Sequence, residues 1–234
     1  MRLIQTIKES VLHLFFPHLC AGCGTDVIAG TEWLCLSCVA QLPETRFQLH
    51  RENPVDKLFW GRIALHQATA QYYFTKQSLM QALLHQFKYK GGQELGRWLG
   101  RLMASHIRRS PFFQEIDVLV PLPLHRSRQR QRGYNQAEIL CNGMSEVLGK
   151  PVLHHTVIRK EATESQTRKN RLERWENMQD RFELVDAASI EGLHVLLVDD
   201  VITTGATLEA CGKELLKAPN VTLSIAALCF ASGS

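Results

Sequence analysis

The stretch Val195-Leu196-Leu197-Val198-Asp199-Asp200-Val201-Ile202-Thr203-Thr204-Gly205-Ala206-Thr207 decides the fold of this chain. Its first four residues form an apolar run, which is typical of a strand buried on both faces of a parallel sheet. Two adjacent carboxylates follow at the C-terminal end of that strand, and ligands of open α/β sheets bind at this edge. We therefore expect Asp199 and Asp200 to face a ligand site.

The residues after the carboxylates supply donors for a phosphate group. A short Thr and Gly loop that enters a helix presents free backbone N–H groups, hydroxyl donors and the positive end of the helix dipole. Carboxylates repel a phosphate, so Asp199 and Asp200 suit the vicinal hydroxyls of a sugar or a hydrated Mg²⁺ beside it. The composite ligand is a ribose 5-phosphate. The residues expected to bind its phosphate are Thr203, Thr204, Gly205, Ala206 and Thr207.

Two other interpretations of this stretch compete. A core strand followed by a capped helix would leave both aspartates solvated at a turn, and a Walker A loop would require a Gly-Lys-Thr sequence that this stretch lacks. The full string resembles the motif by which type I phosphoribosyltransferases bind phosphoribosyl pyrophosphate (PRPP). The resemblance implies that Asp199 and Asp200 are catalytic, stabilising the ribose as positive charge grows at its anomeric carbon, and that magnesium binds together with PRPP.

Four of the seven cysteines are spaced as ligands of a metal ion. Cys20 and Cys23 form one pair, and Cys35 and Cys38 form another, each with two residues between its members. Two such pairs supply the four thiolates of a tetrahedral zinc site, which stabilises a fold and does not catalyse. Disulfides, which a reducing compartment disfavours, and unrelated thiols are the alternatives. We expect a structural zinc knuckle.

A row of arginines follows a predicted strand that ends at Pro121. Arg126, Arg128, Arg130 and Arg132 occupy alternate positions, a spacing that does not place four side chains on one face of a helix. In an extended loop they would all point to one side and clamp a pyrophosphate or follow a nucleic-acid backbone, with Tyr134 stacked on a base. A solvated basic loop is the alternative.

Length and charge bound the class of protein. A chain of 234 residues accommodates one α/β domain, here residues 55–234, after a small module over residues 1–45 with an amphipathic helix and the zinc knuckle. From Arg101 to Trp175 there are 14 Lys and Arg against 7 Asp and Glu, an excess of seven that suggests an anionic partner. No apolar run reaches the roughly 18 residues of a membrane helix. We expect a cytoplasmic protein without a transmembrane segment, and a membrane-surface role for the N-terminal helix is the alternative.

Further strands are expected to complete the sheet. Apolar patterns indicate strands over residues 62–74, 152–158, 182–185 and 221–230. The charged segment 159–177 has few apolar positions, so it is interpreted as a lid over the site or as a surface helix. The predicted fold class is α/β, a type I phosphoribosyltransferase-like parallel sheet flanked by helices, with the small N-terminal zinc knuckle.

The chain resembles the ComF/GntX family over essentially its whole length. The matching features are the paired cysteines, Phe87-Lys88-Tyr89, Val120-Pro121-Leu122-Pro123, Arg132-Gly133-Tyr134-Asn135-Gln136-Ala137, Thr163-Glu164-Ser165-Gln166, Arg174-x-x-Asn177, Phe182 and the PRPP motif. The resemblance implies a competence protein that handles incoming single-stranded DNA during natural transformation, with a site for PRPP or a related ribose phosphate and other competence proteins as partners. The alternative is an active phosphoribosyltransferase that transfers ribose 5-phosphate from PRPP to a base that the sequence does not identify.

Overall fold

The computed structural model describes residues 19–26, 33–89, 92–160 and 182–231. The predicted N-terminal helix lies outside these residues, as does nearly all of the predicted lid. The strands are β1 (Gln67–Tyr73), β2 (Val118–Pro121), β3 (Val157–Arg159), β4 (Phe182–Leu184), β5 (His194–Ile202) and β6 (Thr222–Phe230). The helices are α1 (Leu36–Ala40), a 3-10 helix (Phe47–Leu49), α2 (Pro54–Lys57), α3 (Leu79–Tyr89), α4 (Gln93–Ile107), α5 (Arg126–Arg132), α6 (Gln136–Leu148) and α7 (Ala206–Leu215). Within the described ranges, no helix is long and apolar enough to cross a membrane.

Four strands form one parallel sheet in the order β1-β6-β5-β2. The two central strands are buried along most of their length, β5 from His194 to Val198 and β6 from Leu223 to Phe230. Such continuous burial requires helices on both faces of the sheet, which explains the apolar runs in the sequence. The parallel arrangement brings the carboxyl ends of all four strands to one edge. The predicted fold class is confirmed.

The expected strand over residues 182–185 does not join this sheet. Instead, β4 pairs with β3 in a separate antiparallel sheet, in which Phe182 lies opposite Arg159. Val157 and Phe182 are buried while their neighbours Ile158 and Glu183 are exposed, so this short sheet packs one face on the core and does not extend the main sheet. The strand expected over 152–158 is correspondingly shorter, and residues 62–66 precede β1 as a turn.

The cysteine knuckle packs on the α/β unit. One core, between the sheet and helices α3, α4 and α6, also contains Cys20, Leu34 and Cys38, together with Met80 and Leu83 of α3. The opposite face of the sheet is covered by α7 and the β3–β4 sheet. The knuckle and the parallel sheet therefore stabilise each other through a shared apolar core.

Candidate functional site

Strand β5 carries Asp199 and Asp200 to the carboxyl edge of the sheet. The strand continues past them, because Asp199 still pairs with Ala227 and Ile202 pairs with Phe230. Both aspartates are half-buried. The alternative in which they are solvated at a turn is therefore wrong, and they form a rigid part of the sheet edge.

Lys88 supplies a positive charge to this acidic pair. It lies near the end of α3, and its Nζ is 2.7 Å from Oδ2 of Asp200. The two side chains are only 19% and 13% exposed, so solvent screens this ion pair less than a surface pair. In the sequence Lys88 stands out only as part of the Phe87-Lys88-Tyr89 motif, and no local pattern links it to Asp200.

The environment of Asp199 favours its protonated form. Burial and the neighbouring charge of Asp200 raise the pKa of Asp199 to about 8. The backbone N–H of Asp200, which donates to Oδ1 of Asp199 at 2.7 Å, and the charges of Lys88 and Arg159 offset part of this rise. Asp199 is therefore mostly protonated at neutral pH and able to donate a hydrogen bond, whereas Asp200 contacts Lys88.

The predicted phosphate loop, residues 203–207, connects β5 to α7. Gly205 has φ +74° and is the N-cap of the helix, a left-handed conformation that glycine adopts without strain. The ring of Phe59 lies directly against it, since a Cβ at this position would be 2.9 Å from Cε1 of Phe59. Thr203 and Thr204 are exposed. The structure thus places the five predicted residues at one helix N terminus on the edge that carries Asp199 and Asp200.

A segment between α2 and β1 braces this loop, and sequence reasoning missed it. Nη1 of Arg62 donates to the carbonyl oxygen of Leu58 at 2.8 Å and to that of Thr204 at 3.1 Å. Nη2 of the same guanidinium forms an ion pair with Glu209 in the first turn of α7. Because Arg62 and Thr204 are distant in sequence, only the tertiary structure reveals the contact.

The arginine row forms helix α5 and not the predicted extended loop. Arginine and glutamine are strong helix formers, and Gly133 at φ +81° ends the helix. A helix turns by about 100° per residue, so Arg126 and Arg130 lie on one side and Arg128 and Arg132 on the other. The four guanidinium groups therefore do not form a single row.

Arg132 and Tyr134 make contacts inside the protein. Nη1 of Arg132 donates to Oε1 of Gln136 at 2.6 Å, and its guanidinium lies 5.6 Å from the centroid of the Tyr89 ring. Tyr134 is only 8% exposed, its ring is stacked on that of Phe87, and its hydroxyl donates to the Phe87 carbonyl. The prediction that Tyr134 stacks on a base is wrong for this conformation, because the core already covers the ring.

The four predicted metal ligands come together. The sulfur atoms of Cys20, Cys23, Cys35 and Cys38 all lie within 4.8 Å of one another, and those of Cys23 and Cys35 are 3.7 Å apart. A tetrahedral zinc ion with Zn–S bonds of about 2.3 Å separates its sulfur ligands by about 3.8 Å. The cluster therefore fits zinc in both chemistry and size.

The surroundings of Cys20 and Cys38 shift the pKa values of their thiols in opposite directions. Burial raises the pKa of Cys20, but the N–H groups of Cys23, Cys35 and Gly22 outweigh it and lower the pKa to about 6. The N–H groups of Gly22 and Cys35 lie 3.4 and 3.2 Å from its Sγ. Burial and the neighbouring thiols instead raise the pKa of Cys38 to about 12. A central cation is what would hold all four as thiolates.

The side chains of the carboxyl pair fit magnesium less well than the four cysteines fit zinc. Carboxylate oxygens are ligands that Mg²⁺ prefers, but Lys88 already neutralises Asp200. Asp199 is mostly protonated at neutral pH because of its raised pKa. The site fits a hydrated Mg²⁺ carried by the phosphates of a ligand, and not one enclosed by protein ligands alone.

Comparison with known proteins defines the class. The sequence profile of the phosphoribosyl transferase domain matches residues 89–234, so the α/β unit is a domain of the phosphoribosyltransferase type. The chain is also 33% identical to Competence protein ComFC of Bacillus subtilis over 216 residues, which are 91% of this chain and 85% of that protein. The chain therefore belongs to the ComF family, as its motifs suggest.

Two further relatives support the same family. Competence protein F of Haemophilus influenzae is 29% identical over 206 residues, 86% of this chain and 80% of that protein. DNA utilization protein YhgH of Salmonella typhimurium is 33% identical over 150 residues, 63% of this chain and 65% of that protein. The match to YhgH thus spans slightly less than two thirds of that relative.

Proposed function

We propose that this protein binds PRPP or a related ribose 5-phosphate and handles incoming single-stranded DNA during natural transformation. The observation that carries the ligand proposal is the position of Asp199 and Asp200 beside the N terminus of α7. Acceptors for sugar hydroxyls and donors for a phosphate then lie at one sheet edge. The DNA part is supported by membership of the ComF family, whose members include proteins named for competence and DNA utilization.

In this proposal each group has a chemical role. The N–H groups and hydroxyls of residues 203–207 bind the 5-phosphate, and Asp200 accepts hydrogen bonds from the ribose hydroxyls. The neutral form of Asp199 donates a hydrogen bond to a ribose oxygen. Lys88 and Arg159, whose charges act on Asp199, offset the negative charge of a pyrophosphate. Magnesium, bound with PRPP, would neutralise further charge on the pyrophosphate oxygens.

Helix α5 is the surface proposed for the DNA backbone. It contains four arginines and no acidic residue, and residues 126–131 are all exposed. It follows the carboxyl end of β2, so it begins at the sheet edge that carries the ligand site. Because α5 has no apolar face, attraction to phosphates is the interaction that its side chains favour. Arg128 and Arg130, on different sides of the helix, are proposed to contact different phosphates.

Calorimetry tests the ligand site. Zinc-loaded protein with Mg²⁺ is expected to bind PRPP, and the double variant Asp199→Asn, Asp200→Asn is expected to bind it at least about tenfold more weakly, since it loses the carboxylate acceptor of Asp200 and the carboxyl donor of Asp199. The matched control is Glu115→Gln with Glu191→Gln, which neutralises two exposed acids before the amino ends of β2 and β5. Absence of binding to the folded wild type, or equal binding by the double variant, would overturn the proposed site.

Salt-dependent DNA binding tests the helix. Anisotropy of a labelled single-stranded oligonucleotide gives the slope of log K against log salt, whose magnitude is about 0.7 for each DNA phosphate that the protein neutralises. Arg128→Gln with Arg130→Gln should reduce the slope by about 1.4 if each arginine neutralises one phosphate. The control, Arg108→Gln with Arg109→Gln, makes the same charge change at two exposed residues after α4. Equal slopes for both variants would contradict a role for α5.

Catalytic transfer is the second candidate, favoured by the cations around the carboxyl pair. Lys88 and Arg159 act on Asp199, near where a departing pyrophosphate would need positive charge. Release of pyrophosphate from PRPP with one particular base, and its loss in Asp200→Asn, would establish transfer. Binding of PRPP without release in a screen of bases would favour the ligand as a regulator.

A further inference from the structure

Arg62 lies outside the proposed phosphate loop and contacts it at the carbonyl of Thr204. Its Nη1 donates to the carbonyl oxygen of Thr204 at 3.1 Å and its Nη2 pairs with Glu209. We propose that Arg62 is a positioning residue that sets the affinity of the loop for a phosphate, an inference that rests on the function proposed above. It acts through Thr204 and Glu209 and does not touch the ligand.

The first part of this role is orientation of a peptide group. The carbonyl of Thr204 and the N–H of Gly205 belong to one planar trans peptide, in which they point in opposite directions. By binding the carbonyl, Arg62 turns the Gly205 N–H away from itself. The Leu58 carbonyl accepts from the same Nη1 at 2.8 Å and so holds the guanidinium of Arg62 in place. The Phe59 ring packs against Gly205 and so holds the loop residue in place. The amide is thereby directed towards the open side of the loop before a ligand binds.

The second part is neutralisation of Glu209. This residue lies in the first turn of α7 and is only 9% exposed, so its negative charge opposes a phosphate at the helix N terminus. Arg62 and Lys213 both pair with its carboxylate, the latter at 2.8 Å. Removing Arg62 leaves a half-neutralised acid beside the phosphate position. A second change that removes the acid should then restore binding.

Arginine suits both parts because its two terminal nitrogens act separately. Nη1 serves the backbone carbonyls and Nη2 serves the carboxylate, a division that the planar guanidinium permits and a single ammonium group does not. We therefore expect Arg62→Lys to keep the charge and to lose the fixed direction of the loop.

Binding of ribose 5-phosphate, measured by calorimetry on zinc-loaded protein, tests the proposal. Arg62→Gln should weaken binding about tenfold, Arg62→Lys by a smaller factor, and Glu209→Gln should not weaken it. The double variant Arg62→Gln, Glu209→Gln should bind more tightly than Arg62→Gln. The control, Arg101→Gln with Glu146→Gln, removes an ion pair of 3.0 Å between α4 and α6, and should leave affinity unchanged.

The dependence on pH separates this role from general loosening of the structure. A phosphate monoester loses its second proton near pH 6, so it is mainly a dianion at pH 7.5 and mainly a monoanion at pH 5.5. A Glu209 that keeps Lys213 but has lost Arg62 should therefore weaken binding of the dianion at pH 7.5 more than that of the monoanion at pH 5.5. A merely structural role would produce the same loss at both values.

The outcomes are distinguishable. If the wild type does not bind ribose 5-phosphate, the proposed function fails and this role of Arg62 fails with it. If the wild type binds and Arg62→Gln binds equally well, the role of Arg62 alone is refuted. Should Arg62→Gln prove unfolded by circular dichroism, Arg62→Lys and Glu209→Gln decide: an affinity loss in Glu209→Gln comparable to that in Arg62→Lys would overturn the proposal.

Discussion

Replacing Gly205 by alanine is expected to destabilise the protein through two separable effects. The backbone has φ +74°, where an alanine costs about 1–2 kcal/mol relative to glycine. The new methyl group would also lie 2.9 and 3.0 Å from Cε1 and Cζ of Phe59, a buried ring that is 1% exposed. Crowding of this kind typically costs about 1–3 kcal/mol. The total expected loss in the free energy of unfolding is about 2–5 kcal/mol.

Gly192→Ala provides the matched control. Gly192 has φ +69°, and no atom lies within 4 Å of the position of its added Cβ, so this variant experiences the backbone effect alone. Urea unfolding followed by circular dichroism, with zinc in excess, should show that Gly205→Ala loses about 1–3 kcal/mol more than Gly192→Ala. Equal losses would refute the close packing of Phe59 beneath the loop. Phe59→Leu should cost less stability in the Gly205→Ala background than in the wild type, since it removes the edge of the ring that the new methyl group crowds.

Three further predictions concern the metal, the acidic pair and the buried tyrosine. Cys38→Ala should lose zinc and lower the unfolding midpoint, whereas Cys141→Ala, at another buried cysteine, should retain the metal, as measured by zinc release and thermal unfolding. Asp199→Asn should stabilise the protein, measured without ligand or Mg²⁺, by an amount that grows as pH rises from about 4 to 8. The sign follows because the pKa of Asp199 rises to about 8 in the folded state, so folding favours the proton and the native protein loses stability as pH increases. Tyr134→Phe should lower the free energy of unfolding by about 1 kcal/mol through loss of its hydrogen bond to Phe87, and leave DNA affinity unchanged.

Each of these three predictions has a contradicting result. Full zinc retention by Cys38→Ala would exclude it as a ligand. A difference between Asp199→Asn and wild type that is constant with pH would show that Asp199 does not titrate in the expected range. Reduced DNA affinity in a stably folded Tyr134→Phe would restore a role for the tyrosine at the DNA surface.

The sequence predicts those parts of the fold that depend on residues close together in the chain. The apolar run before Asp199 is long because helices cover both faces of β5, and the spacing of the paired cysteines lets their four sulfur atoms fit around one metal ion. The loop after β5 is equally predictable from the sequence, because Gly205 and its neighbours are contiguous. Such features require no knowledge of distant residues.

Other features depended on competing local preferences or on distant residues. The alternation of arginines favoured an extended loop in our interpretation, yet the helix propensity of arginine and glutamine determines α5. Tyr134, between α5 and α6, is buried because Phe87 on α3 provides both a ring and a carbonyl. Likewise, the contacts of Lys88 with Asp200 and of Arg62 with Thr204 join segments far apart in the chain. No periodicity or spacing encodes such pairs.

The order of strands in the sheet has a consequence for how the chain folds during synthesis. β1 is an edge strand, and the neighbour to which it pairs is β6, with Gln67 opposite Ser224. Among the strands of this sheet, β1 is synthesised first and must therefore wait for β6, which is synthesised last. The residues between them must close a long loop before the two strands can pair. Until then the apolar surface of β1 is exposed to other chains, which is a hazard for nascent proteins. We expect chains truncated before residue 222 to remain without a complete sheet and to aggregate.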